Sequence, residues 1–247
     1  MNRNNNDANT KKSPLVGGDL GVVKAIIFDL DGTILDSVAD IASANNQVLT
    51  KHGLQTHDVE AYIGFIGNGA RRLVQLALPA QFAEKEDVVD RFLEEYKLAY
   101  KANIVDKSTL FEGILELLKW LNEVNIPIAI NTNKPHDQTM LIAGKLLQAY
   151  DFAAILGQKD ENPKKPDPFG ASWIASQLGL KPGEVLFVGD SAVDVKTAQN
   201  AGMQLVGVSW GYSKENEFAD AGCETIVDTA SELRTLIEAR IKILPMK

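Results

Sequence analysis

The stretch Ala25-Ile26-Ile27-Phe28-Asp29-Leu30-Asp31-Gly32-Thr33 decides how the chain is read. Its first four residues are apolar without alternation, include a β-branched pair, and run into a glycine turn. That pattern is a strand buried on both faces, as a parallel sheet requires, rather than one stripe of a helix. The strand delivers Asp29 and Asp31 to its C-terminal end, where open α/β sheets place their ligands. Asp and Gly are also ordinary turn formers, so this segment alone leaves a plain acidic turn open.

Working outward, Ser37-Val38-Ala39-Asp40 has the form of a helix-capping box. Val38, Ile41, Ala42, Val48 and Leu49 follow helical spacing, with Gly53 placed to close the helix. The helical pattern continues through Leu73, Leu76 and Ala77, then Val88, Val89, Phe92, Leu93 and Tyr96, to about Asn103, with no strand evident. From Phe111 onward the pattern alternates. Helices are expected at Ile114 to Asn122, His136 to Leu147, Phe169 to Leu178, Ala192 to Ala201 and Ser231 to Ile243. Strands are expected at Ile126 to Ile130, Phe152 to Leu156, Val185 to Val188, Gln204 to Val208 and Thr225 to Val227. Such alternation implies an α/β fold, a Rossmann-like parallel sheet with helices on both faces. The expected organisation is a disordered leader at 1–19, an α/β core at 20–36 and 105–247, and a small α-helical cap domain at 37–104, inserted after the first strand.

A chain of 247 residues with 45% hydrophobic content supports an ordinary packed core. Cys223 is the single cysteine, which excludes an intrachain disulfide, and it reads as an inert thiol. The formal charge of −8 argues against nonspecific nucleic-acid binding, which needs clustered Lys and Arg. No apolar run approaches the length of a membrane span. The Asn-rich segment Met1 to Asp19 lacks the apolar centre of a signal peptide. The expectation is a cytoplasmic protein, monomer or homodimer, with neither nucleic acid nor membrane as partner.

Three further segments carry chemistry. In Ile130-Asn131-Thr132-Asn133-Lys134-Pro135, a hydroxyl and an amide at a strand end are suitable donors to phosphate oxygens. Pro163-Lys164-Lys165-Pro166-Asp167-Pro168 is a proline-stiffened loop that holds an ammonium in place, and Lys165 is the choice over Lys164. Val185-Leu186-Phe187-Val188-Gly189-Asp190-Ser191-Ala192-Val193-Asp194 repeats the opening logic, with two acids around a helix start. Capping explains one of those acids, not both. Acids gathered at strand ends repel one another unless a cation or a proton holds them; a hard divalent ion is the simple answer, and Mg²⁺ suits few carboxylates plus a substrate phosphate. His52, His57 and His136 show no zinc-ligand spacing. Neither a Walker-type loop nor a dinucleotide fingerprint is present, which favours a small phosphate substrate over a nucleotide cofactor.

Asp29-Leu30-Asp31-Gly32-Thr33, then Thr132, then Lys165-Pro166, then Gly189-Asp190-Ser191 with Asp194, resemble the four ordered motifs of the haloacid dehalogenase superfamily. The resemblance implies a phosphatase working through an aspartyl phosphate, with Asp29 as nucleophile and Asp31 as acid/base. It implies phosphoryl contacts from Gly32, Thr132, Asn133 and Lys165. It also implies Mg²⁺ held by Asp29, Asp31 (through its backbone carbonyl) and Asp190, supported by Asp194. The inserted helices resemble the caps of the branch that includes phosphoglycolate phosphatases. Ile66-Gly67-Asn68-Gly69-Ala70, Thr132-Asn133-Lys134-Pro135 and Trp210-Gly211-Tyr212 share that likeness. By it, Gly67, Asn68 and Arg71 are expected to meet the substrate's carboxylate, with 2-phosphoglycolate the expected small anionic ester. Another small phosphate or pyrophosphate, a phosphomutase, and a receiver-like phosphoacceptor are the alternatives.

Overall fold

The computed structural model describes residues 22–213 and 215–241, so the expected leader and the end of the terminal helix at Ile243 lie outside the described residues. In chain order the elements begin with β1 (Ala25–Phe28), β2 (Leu35–Asp36), α1 (Val38–Lys51), α2 (Val59–Ile63), α3 (Ala70–Ala77), α4 (Ala80–Ala83) and α5 (Glu86–Ala102). They continue with β3 (Thr109–Leu110), α6 (Ile114–Glu123), β4 (Ile128–Pro135), α7 (His136–Ile142) and β5 (Phe152–Gln158). The last are α8 (Phe169–Gln177), β6 (Val185–Gly189), α9 (Ala192–Ala201), β7 (Gln204–Val208), α10 (Glu215–Ala221), β8 (Ile226–Val227) and α11 (Ala230–Arg240). One π turn, Ala143–Leu147, extends α7.

Six strands form a parallel sheet in the order β5-β4-β1-β6-β7-β8. β1 lies inside it, with Phe28 opposite Ile130 on one side and Val188 on the other. The unbroken apolar run follows from this position. Ile26 and Phe28 join the cluster that includes Leu117, Leu118 and Leu233, while Ile27 faces Ala171, Ile174 and Ala198 on the opposite layer. Each of these strand side chains is fully buried, worth about 2 kcal/mol of transfer free energy apiece. Because β1, β4 and β6 are in parallel register, their C-terminal ends bring Asp29, Thr132 and Asp190 to one edge.

Between β1 and β4 the chain inserts α1 to α5. On α5 the buried positions Val89, Phe92, Tyr96 and Tyr100 recur every three or four residues, giving a single apolar stripe. The two passages into and out of this block pair as a short antiparallel ribbon, Leu35 with Leu110 and Asp36 with Thr109. The Asp40 carboxylate, buried on α1, accepts the Lys107 and Ser108 amides and the Ser108 hydroxyl, tying the outgoing passage to the incoming helix.

The structure corrects the expected capping box. Ser37 makes no side-chain cap, and Asp40 is spent on residues 107 and 108. The Tyr212 hydroxyl instead accepts the amides of Ser37 at 2.7 Å and Val38 at 3.0 Å. Three elements were not expected: the two strands of the ribbon, each too short to show a period, and α10. β4 also extends beyond Ile130, through Thr132 to Pro135, over a register shift that lets the motif remain on the strand.

Candidate active site

Gly32 adopts φ +87°, and a Cβ there would lie 2.2 Å from Asp190 Oδ2. Glycine is therefore required for the loop after β1 to fold onto the Asp190 carboxylate. That carboxylate also accepts the Thr33 hydroxyl at 3.3 Å and the Tyr212 amide at 2.7 Å. Gly211 is held similarly close, its Cβ position 2.3 Å from the Gly32 carbonyl oxygen. Two turns from distant parts of the chain thus clasp Asp190.

Lys165 is buried between Asp29, at 2.7 Å, and Asp194, at 2.6 Å. Asp194 has no exposed surface, and its other oxygen accepts the Ser191 amide and hydroxyl, closing a reciprocal cap at the start of α9. Asp194 therefore does two jobs, starting a helix and orienting the lysine. Asn133 fixes the same lysine through its backbone, accepting Lys165 N–H at 2.8 Å and donating to its carbonyl at 3.0 Å. It also donates to Gly67 O at 3.2 Å. The Asn133 side-chain amide, expected at the phosphate, is occupied here by Lys165 and Gly67. Thr132 lines the cavity, with its hydroxyl accepting the Lys134 amide at 3.2 Å.

Carboxylate oxygens of Asp29, Asp190 and Asp194 lie within 4.8 Å of one another, all buried. Burial, the largest cause, pushes the Asp29 carboxyl up to about 7; Lys165 pulls it down, and Asp194 and Asp31 add to the rise. Burial, followed by Asp194 and Asp29, holds Asp190 well above the carboxylate range. For Lys165, burial favours the neutral amine, but Asp194 and Asp29 outweigh it and keep the lysine charged. Three buried oxygen donors with one lysine among them fit a hard divalent cation, and the expected Asp29 and Asp190 stand in that cluster. None of the histidines joins it: His52 pairs with Glu95, His57 contacts Ala77 O, and His136 accepts the Gly157 amide.

Asp31 faces a different environment. Its carboxylate accepts the Ser37 hydroxyl at 2.5 Å and lies 3.0 Å, through both oxygens, from Lys134 Nζ. Lys134 is buried and sits 4.6 Å from the centre of the Tyr100 ring. Sequence reasoning assigned no role in the site to Lys134 or Tyr212 and read Ser37 only as a helix cap. Their signal is contact across up to 175 residues of chain, with only the adjacency of Lys134 to Thr132 visible locally.

Asp29, Asp31, Thr132, Lys134, Lys165, Asp190 and Tyr212 line a cavity of about 610 Å³ between the sheet edge and the inserted helices. Ile63, Ile66, Leu73 and Tyr96 form apolar parts of its wall, with Gly67 and Asn68 in the loop before α3. The expected carboxylate contact Arg71 is not among the lining residues; it is half exposed and paired with Asp90 on α5. Helical spacing placed it next to the specificity loop, and its side chain leaves on the outer face.

A parallel sheet with three buried acids and a fixed lysine at its strand ends defines an α/β protein with an acidic, cation-ready site. The haloacid dehalogenase-like hydrolase family matches residues 26–208, and the chain belongs to that family as a phosphoric monoester hydrolase. The chain is 32% identical over 221 residues to the phosphoglycolate phosphatase of Pseudomonas fluorescens, covering 87% of this chain and 78% of that one. With the phosphoglycolate phosphatase of Photobacterium profundum the identity is 33%, covering 87% and 96%. A crystal structure from Lactobacillus delbrueckii subsp. bulgaricus, provisionally named for the same activity, superposes with a TM-score of 0.80 at 31% identity, covering 87% and 98%.

Proposed function

We propose that the protein hydrolyses 2-phosphoglycolate to glycolate and phosphate, with Mg²⁺, through an aspartyl phosphate on Asp29. The observation that carries this reading is the buried Asp29–Lys165 pair, with Asp190 beside it, facing a cavity covered by inserted helices. The names of its relatives supply the substrate.

In this reading Asp29 attacks phosphorus and the ester P–O bond breaks, so the alcohol leaves as the acyl phosphate forms. Asp31 gives a proton to the leaving oxygen, then takes one from the water that cleaves the acyl phosphate. Lys165, Thr132 and the backbone at Gly32 hold the phosphoryl oxygens. Asp29, the Asp31 carbonyl and Asp190 would hold the ion, which supplies positive charge that lets a carboxylate approach a phosphate dianion. Asp194 acts as a positioning residue, keeping Lys165 aimed at Asp29. Residues 37–104 act as a cap domain that covers the substrate and excludes water.

Phosphate release over a panel of small esters, with and without Mg²⁺, tests the proposal. 2-Phosphoglycolate is expected to lead the panel, and Asp29→Asn is expected to lower turnover by at least about 10³-fold while the fold persists. Full activity in Asp29→Asn would exclude covalent catalysis by this residue.

A further inference from the structure

We infer that Lys134 selects the substrate's leaving end, favouring an alcohol that carries one carboxylate close to the ester oxygen over a neutral alcohol or a second phosphate. The inference rests on the phosphatase reading above and adds to it the residue and the charge that set selectivity.

Among the described residues, the cavity is lined by two cations, Lys134 and Lys165. Lys165 belongs to the phosphoryl end, held by Asp29 and Asp194. Lys134 is the cation beside Asp31, the group placed to serve the leaving oxygen. An ammonium has three N–H bonds, and the two Asp31 oxygens engage it at 3.0 Å each, so it retains donor capacity for a second anion. The Tyr100 ring at 4.6 Å stabilises the charge from a face that cannot compete as an anion.

The inserted helices contribute no cation to offset an anion there. Arg71 is on Asp90 and Arg72 on Gln75, neither lining the cavity. The charged residues this block does present are Asp58 and Glu60. A single carboxylate on the leaving group is therefore matched by one buried ammonium. A phosphate dianion would meet Asp31 directly, in a cavity also lined by the acids Asp58, Glu60 and Glu217, with only a shared lysine in compensation. A neutral alcohol gains nothing from Lys134. Selectivity arises from the attraction and the repulsion together.

The test compares kcat/KM for 2-phosphoglycolate, ethyl phosphate and pyrophosphate in the wild type, Lys134→Met and Lys134→Arg. The wild type is expected to prefer phosphoglycolate over both others. In Lys134→Met the phosphoglycolate to ethyl phosphate ratio is expected to fall at least about tenfold, the loss typical of truncating a buried charged contact, and Lys134→Arg to recover part of it. A ratio unchanged within about twofold in Lys134→Met overturns the inference, since a lysine acting only on Asp31 lowers both esters alike. The wild type alone also decides: pyrophosphate or ethyl phosphate turned over as well as phosphoglycolate overturns it. A binding arm needs no turnover. Glycolate should raise the melting temperature of the wild type and not of Lys134→Met, and equal shifts or none count against Lys134. Absence of turnover on every ester would defeat the phosphatase reading, while the glycolate shift still judges Lys134.

Discussion

At Asp29 and Asp190 the cost of burying acids becomes a property of the whole protein. In the metal-free protein the folded carboxyl of Asp29 titrates near 7, against an ordinary value of 3.8. Between those values the folded state binds more protons than the unfolded chain, so stability is greatest at the acidic end and is lost as pH rises towards 7. Asp190 is shifted in the same direction. The expected outcome is a melting temperature, measured in EDTA, that falls from pH 5.5 to pH 8 by an amount on the order of a few kcal/mol in stability. Mg²⁺ should flatten that slope, because a cation favours both carboxylates in their charged form. A rising melting temperature over this range in EDTA would show that Lys165 outweighs desolvation. Asp29→Asn, which removes the titrating group, should lose part of the slope.

At the level of elements, Tyr212 starts a helix that its local sequence does not. Its hydroxyl accepts the Ser37 and Val38 amides and donates to Asp36 at 3.0 Å, while its own amide holds Asp190. Tyr212→Phe keeps the ring and orphans two helix-start donors, a loss of about 2 kcal/mol. Hydrogen exchange at Ser37 and Val38 should accelerate in that variant and stay near wild type in Ser37→Ala, whose hydroxyl serves Asp31. Equal exchange in the two variants would return the cap to Ser37. This helix start also marks how far the sequence is legible. Runs such as Ile26 to Phe28 and Val185 to Val188 declare a parallel sheet because they are apolar on both faces, and the acids after them declare the site. Ser37 to Asp40 has the local form of a cap, but the group that wins is 175 residues away. Lys134 is passed over and Arg71 is expected in the cavity for the same reason: adjacency to a motif does not say which way a side chain leaves the backbone.

Across the whole molecule, the inserted helices are held strongly at one end and lightly at the other. At the ribbon, β2 pairs with β3, and Asp40 binds the outgoing passage while buried. Over the cavity, the loop before α3 meets the sheet edge through Gly67 O on Asn133 and Asn68 O on Lys164 at 3.1 Å. The Lys164 contact is exposed and worth less than about 1 kcal/mol. Opening is therefore expected to break the loop contacts first and to turn about the ribbon. Lys164→Ala and Asn133→Ala separate the two parts of this contact. Lys164→Ala should speed hydrogen exchange at residues 67–71 with a melting temperature within about 2 °C of wild type, since surface substitutions seldom cost more than about 0.5 kcal/mol. Asn133→Ala should speed the same amides and also lower turnover at least about tenfold, because the Lys165 backbone loses both of its side-chain bonds and the lysine its aim. Unchanged exchange at 67–71 in both variants would mean that the loop is held by apolar packing, and that the cap does not open from this side.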